Sequence, residues 1–175
     1  MKEYEFTLKF SLQNEMADPA EYVEKLGLAG CDDALIGIGQ PGRIALSFIR
    51  ESVSAYEAVT SAIADVRKSI PGIKLVEATP DFVGLTDVAD LLGFTRQNMR
   101  KLMINSGADF PAPVHAGKPA IWHLAKLLLW LKERRKYPIE DALIDIASIN
   151  MQFNIATEMK DIEPAAQQNI RSLIA

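Results

Sequence analysis

The first dozen positions alternate between apolar and polar residues: Tyr4, Phe6, Leu8, Phe10 and Leu12 fall on one side of an extended chain, Glu5, Thr7, Lys9 and Ser11 on the other. A period of two is that of a half-buried strand. Asp18-Pro19-Ala20-Glu21 then offers a cap, a proline suited to the first helical position and a Glu placed to reach back, while Tyr22, Val23 and Leu26 supply an apolar face. This predicts a short helix ending at Gly27. Residues 34–38 and 44–49 read as two strands joined in a hairpin through Gly39-Gln40-Pro41-Gly42-Arg43. From Ser54 to Ser69 the apolar positions Ala55, Val59, Ala62, Ile63 and Val66 change to helical spacing, and Pro71-Gly72 ends the run. Residues 73–78 form a last short strand. The order β-α-β-β-α-β over residues 1–79 predicts a ferredoxin-like domain, an antiparallel sheet with two helices on one face.

A different pattern occupies residues 85–103. Thr86 suits the cap of a first helix, Asp87 suits the positive end of its dipole, and Val88, Leu91 and Leu92 mark its inward face. Gly93 stands where that helix must stop, Phe94 where a side chain can plug the corner, and Thr95 where a second helix needs its cap. Met99, Leu102 and Met103 then point inward, leaving Arg96, Gln97, Asn98, Arg100 and Lys101 outside. This is a helix-turn-helix whose second helix is polar and basic. Such a helix can enter a major groove, its Arg, Gln and Asn side chains pairing with base edges and its cations taking phosphates. The joint to the first domain, Thr79-Pro80-Asp81 followed by Phe82 and Val83, is short and partly apolar, which predicts that the two domains pack together.

Beyond it, Phe110-Pro111-Ala112-Pro113-Val114 and Pro119-Ala120-Ile121-Trp122 flank the turn His115-Ala116-Gly117-Lys118 as a small hairpin. Residues 123–136 follow as a helix with a Leu124, Leu127, Leu128, Leu131 stripe. A helix-turn-helix, a hairpin and a helix make a winged arrangement. Residues 83–136 resemble the excisionase/AlpA-like and MerR-like winged helix-turn-helix DNA-binding modules, in which Leu-x-x-Val-Ala-x-Leu-Leu-Gly-x-Thr/Ser-Arg-Gln leads into the recognition helix. The resemblance implies that Thr95, Arg96, Gln97, Asn98, Arg100 and Lys101 face DNA and that His115 and Lys118 lie at the wing tip. One departure is visible: such modules often follow the wing's Trp with Arg, whereas this chain has Trp122-His123, and a neutral His would weaken a backbone contact there.

From Pro138 onward, Ile139, Ala142, Leu143, Ile146, Ile149, Phe153 and Ala156 recur at three- and four-residue steps. This predicts a strongly amphipathic helix that must cover something, either its own chain or a second copy. Dimerisation through residues 138–175 is the expectation, because a reader with one recognition helix gains affinity and half-site spacing by doubling. Ile162-Glu163-Pro164 interrupts the pattern before a short terminal helix around Ile170, Leu173 and Ile174. The fold class expected is α+β, with domains at 1–79, 83–136 and 138–175.

Charge changes the picture more than composition does. The 175 residues are 49% hydrophobic and 24% charged, ordinary for a globular chain. The net charge of −4 is unevenly spread, with 8 Lys+Arg against 13 Asp+Glu in residues 1–83, 9 against 4 in residues 84–136, and 2 against 6 in residues 137–175. The basic charge is concentrated where the reader is expected, flanked by acidic segments. The opening residues lack the apolar core of a signal peptide, the run Leu127-Leu128-Leu129-Trp130-Leu131 is too short to span a bilayer, and the single Cys31 has no internal disulfide partner. A cytoplasmic location is the expectation.

Other chemistry finds little footing. Gly37-Ile38-Gly39-Gln40-Pro41-Gly42 formally matches a dinucleotide-binding fingerprint, but Pro41 and a second strand follow where a helix must open. Neither a metal-ligand cluster nor a catalytic constellation is apparent, so no cofactor, no metal and no enzymatic activity are expected. Trp122 and Trp130 suit a core better than a stacking platform. Two readings stand. The first is a sequence-specific, dimeric DNA-binding regulator, such as an autoregulator or antitoxin-type repressor, whose N-terminal domain binds a partner protein or senses a ligand. The alternative is an adaptor or antitoxin that covers a partner protein and uses the winged module as its contact surface.

Overall fold

The computed structural model describes residues 1–174. It is α+β and begins with four antiparallel strands: β1 (Lys2–Ser11), β2 (Ala34–Gly37), β3 (Arg43–Ser52) and β4 (Lys74–Thr79), side by side in the order β2-β3-β1-β4. β1 pairs with β3 from Lys2↔Ser52 to Ser11↔Arg43 and with β4 along its other edge. The alternation read in the first strand places Tyr4, Phe6, Leu8 and Phe10 in the core, with Phe6 stacked on Phe48 of β3 at 5.2 Å between centroids. Both central strands run longer than the apolar alternation indicated, because their charged ends continue the ladder without burying anything.

Two helical segments cover one face of the sheet. Asp18 accepts a hydrogen bond from the Ala20 N–H at 2.9 Å and opens a 3-10 turn (Pro19–Tyr22) that runs into α1 (Val23–Leu28). The expected stop at Gly27 is not used; α1 continues to Leu28, and the left-handed conformation falls on Gly30 at φ 106°. α2 (Ala55–Ser69) is capped by Ser54, whose hydroxyl accepts the Glu57 N–H, and it buries Ala55, Ala58, Val59, Ala62, Ile63 and Val66. Arg50 of β3 ties these elements together. Its guanidinium donates to Asp33 at 2.6 and 2.9 Å, to Asp65 at 3.0 Å and to the Gly30 carbonyl at 2.8 Å.

After β4 the chain turns through cis Thr79–Pro80 into β5 (Phe82–Val83), then α3 (Leu85–Leu91), α4 (Arg96–Ser106) and a 3-10 turn (Gly107–Asp109). β6 (Trp122–His123) pairs with β5 and leads straight into α5 (Leu124–Arg135). Val88, Ala89, Met99, Phe110, Trp122, Leu124, Leu127, Leu128 and Leu131 fill a second core. Trp122 and Trp130 both belong to it, with Trp130 donating to Asp109 at 3.2 Å.

The long helix expected from Pro138 begins later, as α6 (Asp141–Glu158), and a 3-10 turn (Met159–Asp161) joins it to α7 (Pro164–Ile174). Its apolar stripe is not left bare. Ile146, Ala142, Ile149 and Phe153 pack against the core of the sheet, while Ile144, Ala147 and Met151 pack against the α5 core. Of the two occupants the stripe allowed, its own chain takes the inward side of α6. In the final segment the most exposed apolar side chains are on α7, where Leu173 is 85% and Ile174 78% accessible, and Ile155 of α6 is exposed to a lesser degree. Among the described residues, no helix is long and apolar enough to cross a membrane.

Candidate nucleic-acid interface

The two-helix unit departs from the residue pattern in two places: Leu91, expected on the inward face of α3, is 45% exposed while Ala89 is buried, and the cap shifts. Gly84 caps α3 in place of Thr86: the Asp87 carboxylate accepts the Gly84 N–H at 2.7 Å, and Thr86 lies inside the first turn. The capping is thus done from inside the helix by Asp87, whose charge is held at the helix's positive end. Gly93 ends α3 in the left-handed region at φ 67°, and the next N–H, that of Phe94, donates to the Ala89 carbonyl at 2.7 Å. Phe94 then packs its ring against Tyr137 at 5.0 Å. Thr95 caps α4, its hydroxyl accepting the Asn98 N–H at 3.1 Å.

Met99 is the one fully buried residue of α4; Leu102 and Met103 are half-buried. Arg96, Gln97, Asn98, Arg100 and Lys101 are exposed, and α4 has no acidic residue. The hairpin that follows is small. It closes through one bridge, His115↔Ile121, plus the Val114 N–H donating to the Ile121 carbonyl at 2.8 Å. Trp122, read from the sequence as its last strand residue, pairs with Val83 of β5, and its indole N–H donates to the Pro111 carbonyl at 2.9 Å. The hairpin is therefore pinned at its base to the entrance of α3.

Between α4, the start of α3 and this hairpin lies an open groove of about 1010 Å³. Arg96 and Arg100 stand on its α4 wall, and Lys118 stands on the hairpin wall. None of Arg96, Arg100, Lys101 and Lys118 is ion-paired among the described residues. Asp87, the acidic residue on the rim, is already engaged in capping α3. The far end of the groove is apolar, lined by Met103, Ile104 and Phe110. Three of the eight candidate residues therefore converge on one concavity. Gln97, Asn98 and Lys101 are exposed outside it, Thr95 is engaged in capping, and His115 is exposed at the hairpin tip, where its ring lies over Gly117.

The basic cluster at the end of α5 is partly occupied. Lys132 pairs with Asp141, which holds that carboxyl below its ordinary pKa, and Arg135 lies 5.0 Å from the Trp130 ring and donates to Ser106.

Behind the groove is a polar cluster that sequence reasoning missed. His123, read as a weakened wing contact to a nucleic-acid backbone, is buried at 6% exposure and turned the other way, its Nδ1 2.8 Å from an oxygen of buried Asp81. The second Asp81 oxygen accepts from Asn154 at 2.8 Å, and the Asp81 carbonyl accepts the Leu124 N–H at 2.7 Å. Asn154 also grips the free edge of β4, accepting the Ala78 N–H at 2.7 Å and donating to the Ala78 carbonyl at 2.8 Å. One signal was present: Asn150 and Asn154, one turn apart, interrupt an apolar stripe at inward positions. Buried amides require partners, so such a pair marks a polar contact across a domain junction. No protein family, curated protein or solved structure matches this chain.

Proposed function

We propose that the chain is a sequence-specific duplex-DNA-binding regulator, a binding protein and not an enzyme, working in the cytoplasm. In this reading residues 83–136 are a winged helix-turn-helix with α4 as recognition helix, and residues 1–79 are a ferredoxin-like partner or sensor domain. The observation that carries it is the convergence of Arg96, Arg100 and Lys118, none of them ion-paired, on the groove between α4 and the hairpin. With α4 in a major groove, Arg96, Gln97 and Asn98 near its N-terminus reach base edges, and the concavity beside it takes one sugar-phosphate strand, held by Arg100 and Lys118. Lys101 adds a phosphate contact from the outer side of α4, and His115 meets the strand at the tip.

The test is fluorescence anisotropy with duplex DNA from upstream of the protein's own coding sequence, against scrambled duplex, at two salt concentrations. Tighter binding to the native duplex is expected, with log affinity falling by about 0.9 per phosphate neutralised for each tenfold rise in salt. Arg96→Ala is expected to reduce the preference for the native duplex; Arg100→Ala and Lys118→Ala are expected to weaken both duplexes and lower the salt slope by about one each. Equal binding to both duplexes, or variants that bind like wild type, would overturn the reading.

The apolar end of the groove favours a second reading. Met103, Ile104 and Phe110 offer nothing to a phosphate but suit an apolar anchor, so an acidic protein segment carrying one would fill both ends of the groove. An adaptor of this kind binds its partner with no DNA preference, and the uncharged truncation Ile104→Ala is expected to weaken that binding about tenfold or more while changing any DNA binding little.

A further inference from the structure

The helices that pack on the sheet, α1, α2 and α6, lie against one face, and the opposite face is bare. On it stand the odd-numbered residues of β1 and β3, with Leu35 of β2 at 78% and Ile49 of β3 at 56% exposure. The antiparallel register arranges these residues in rows across the strands: Glu3 beside Glu51, Glu5 beside Ile49, Thr7 beside Ser47 and in line with Leu35, Lys9 beside Ala45, and Ser11 beside Arg43. One end of the face is acidic; the other carries Arg43 and Lys9, the latter paired with Glu77 of β4 at 2.7 Å, with small and apolar residues between the two ends. None of these outward residues is aromatic, so the face has no platform on which a single-stranded base could stack.

We infer that this face pairs with the same face of a second copy, through a two-fold axis that crosses the strands at the Thr7–Ser47 row. The rows themselves select that axis. It brings Glu51 over Arg43 of the second copy, Ile49 over the small Ala45, Leu35 over its own counterpart, and Glu5 over Lys9, which already pairs with Glu77 of β4 at 2.7 Å, so that the Glu51–Arg43 pairs carry the charge complementarity. Glu51 and Arg43 have no other ion-pair partner among the described residues. An axis running along the strands would instead set Glu3 and Glu51 against themselves, and like charges facing across a sheet repel. Aligned sheets pack with their strands within about 30° of each other, which preserves the pairing of rows.

The five rows span about 27 Å along the strands and the four strands about 19 Å across them. The face therefore offers on the order of 500 Å² per copy, at the small end for specific interfaces, and micromolar association is expected. Of the surfaces the sequence suggested for pairing, the inward side of α6 is consumed within the chain and α7 remains exposed. The inference is independent of what α4 binds.

Sedimentation equilibrium of the full chain from micromolar to near-millimolar concentration tests it. A monomer–dimer equilibrium weakened by salt is expected, and Glu51→Arg or Arg43→Glu alone is expected to weaken it about tenfold or more, because each places like charges together twice. An equimolar mixture of the two single variants is expected to recover wild-type affinity, because in the mixed dimer every Arg again faces a Glu. Leu35→Asp breaks the dimer independently at the axis, and Leu173→Asp on α7 leaves it unchanged. A chain that stays monomeric throughout, single variants that dimerise normally, a mixture that fails to recover, or a dimer lost through Leu173→Asp would each overturn the inference.

Discussion

Asp81 and His123 stand 42 residues apart in sequence, and their side chains meet at 2.8 Å where both are buried. Asp81 follows the end of β4, His123 precedes α5, and Asn154 of α6 closes the group on the other carboxylate oxygen. One carboxylate thus fixes the sheet, the base of the hairpin and the long helix against one another.

Removing that carboxylate leaves His123 Nδ1 and one Asn154 N–H without their partner, buried. Asp81→Ala is therefore expected to destabilise the fold by about 2–4 kcal/mol, read as a lowered urea midpoint. The two asparagines of α6 are expected to separate sharply. Asn154 makes three short bonds, at 2.7, 2.8 and 2.8 Å, and Asn154→Ala should cost about 2–3 kcal/mol. Asn150 has an unpartnered Oδ1 and one long bond of 3.3 Å to the Pro80 carbonyl, so Asn150→Leu should be close to neutral or stabilising. Equal losses at the two positions would show that the network does not hold the junction.

Cys31 gives the fold a dependence on alkaline pH. Burial, and after it the negative charge of Asp65, pushes its thiol up from 9.0 to about 11. The unfolded chain loses this proton near the ordinary thiol value and the folded chain only well above it. The stabilisation is thus complete below about pH 8.5 and is lost as pH rises from there through 11, at up to about 1.4 kcal/mol per pH unit. Urea midpoints at about pH 7.5 and pH 10.5 are expected to fall further for wild type than for Cys31→Ala, the difference being on the order of 2 kcal/mol. The native thiol should also resist a disulfide reagent until the chain unfolds. Immediate labelling at neutral pH, or identical pH profiles for the two proteins, would contradict the burial.

How far these features were legible in the sequence follows from the distance over which each is encoded. Alternation in β1, the Thr95 cap and the left-handed Gly93 rest on a few neighbouring residues, and they stand where the pattern places them. Local signals failed where two residues competed for one role: Thr86 lost the cap position because Asp87 reaches back to Gly84, and Gly27 stayed helical because Gly30 takes the turn. The partners of α6 were illegible for a different reason. Its inward residues divide between two cores, so the stripe is too wide for a single seam, and hydrophobic spacing says nothing about which surface will cover it. His123 was misread because its partner, Asp81, lay in what read as a linker. In the groove, the cations Arg96, Arg100 and Lys118 were named from sequence, but its apolar end was not, since Met103 and Ile104 sit on the flank of a helix whose inward face is Met99.

Thr95 and Gln97 separate holding α4 in place from reading with it. The Thr95 hydroxyl satisfies the Asn98 N–H, and Thr95→Ala is expected to cost about 1 kcal/mol in urea denaturation, with Thr95→Ser restoring most of it. Any DNA affinity lost in Thr95→Ala should return in Thr95→Ser, because the cap needs a hydroxyl and the methyl group is incidental to it. Gln97 is exposed, with no side-chain hydrogen bond to the rest of the chain among the described residues, so Gln97→Ala is expected to change stability by less than about 0.5 kcal/mol. If α4 reads bases, Gln97→Ala still lowers discrimination between duplexes by about 1–3 kcal/mol at its base pair, with no change in the salt slope. Gly93→Ala supplies the control: at φ 67° with open space around it, it carries only backbone strain of about 1–2 kcal/mol, and it should weaken binding to native and scrambled duplex alike. If Gln97→Ala and Gly93→Ala both shift the two duplexes in parallel, α4 is a scaffold and the specificity has to reside elsewhere on the chain.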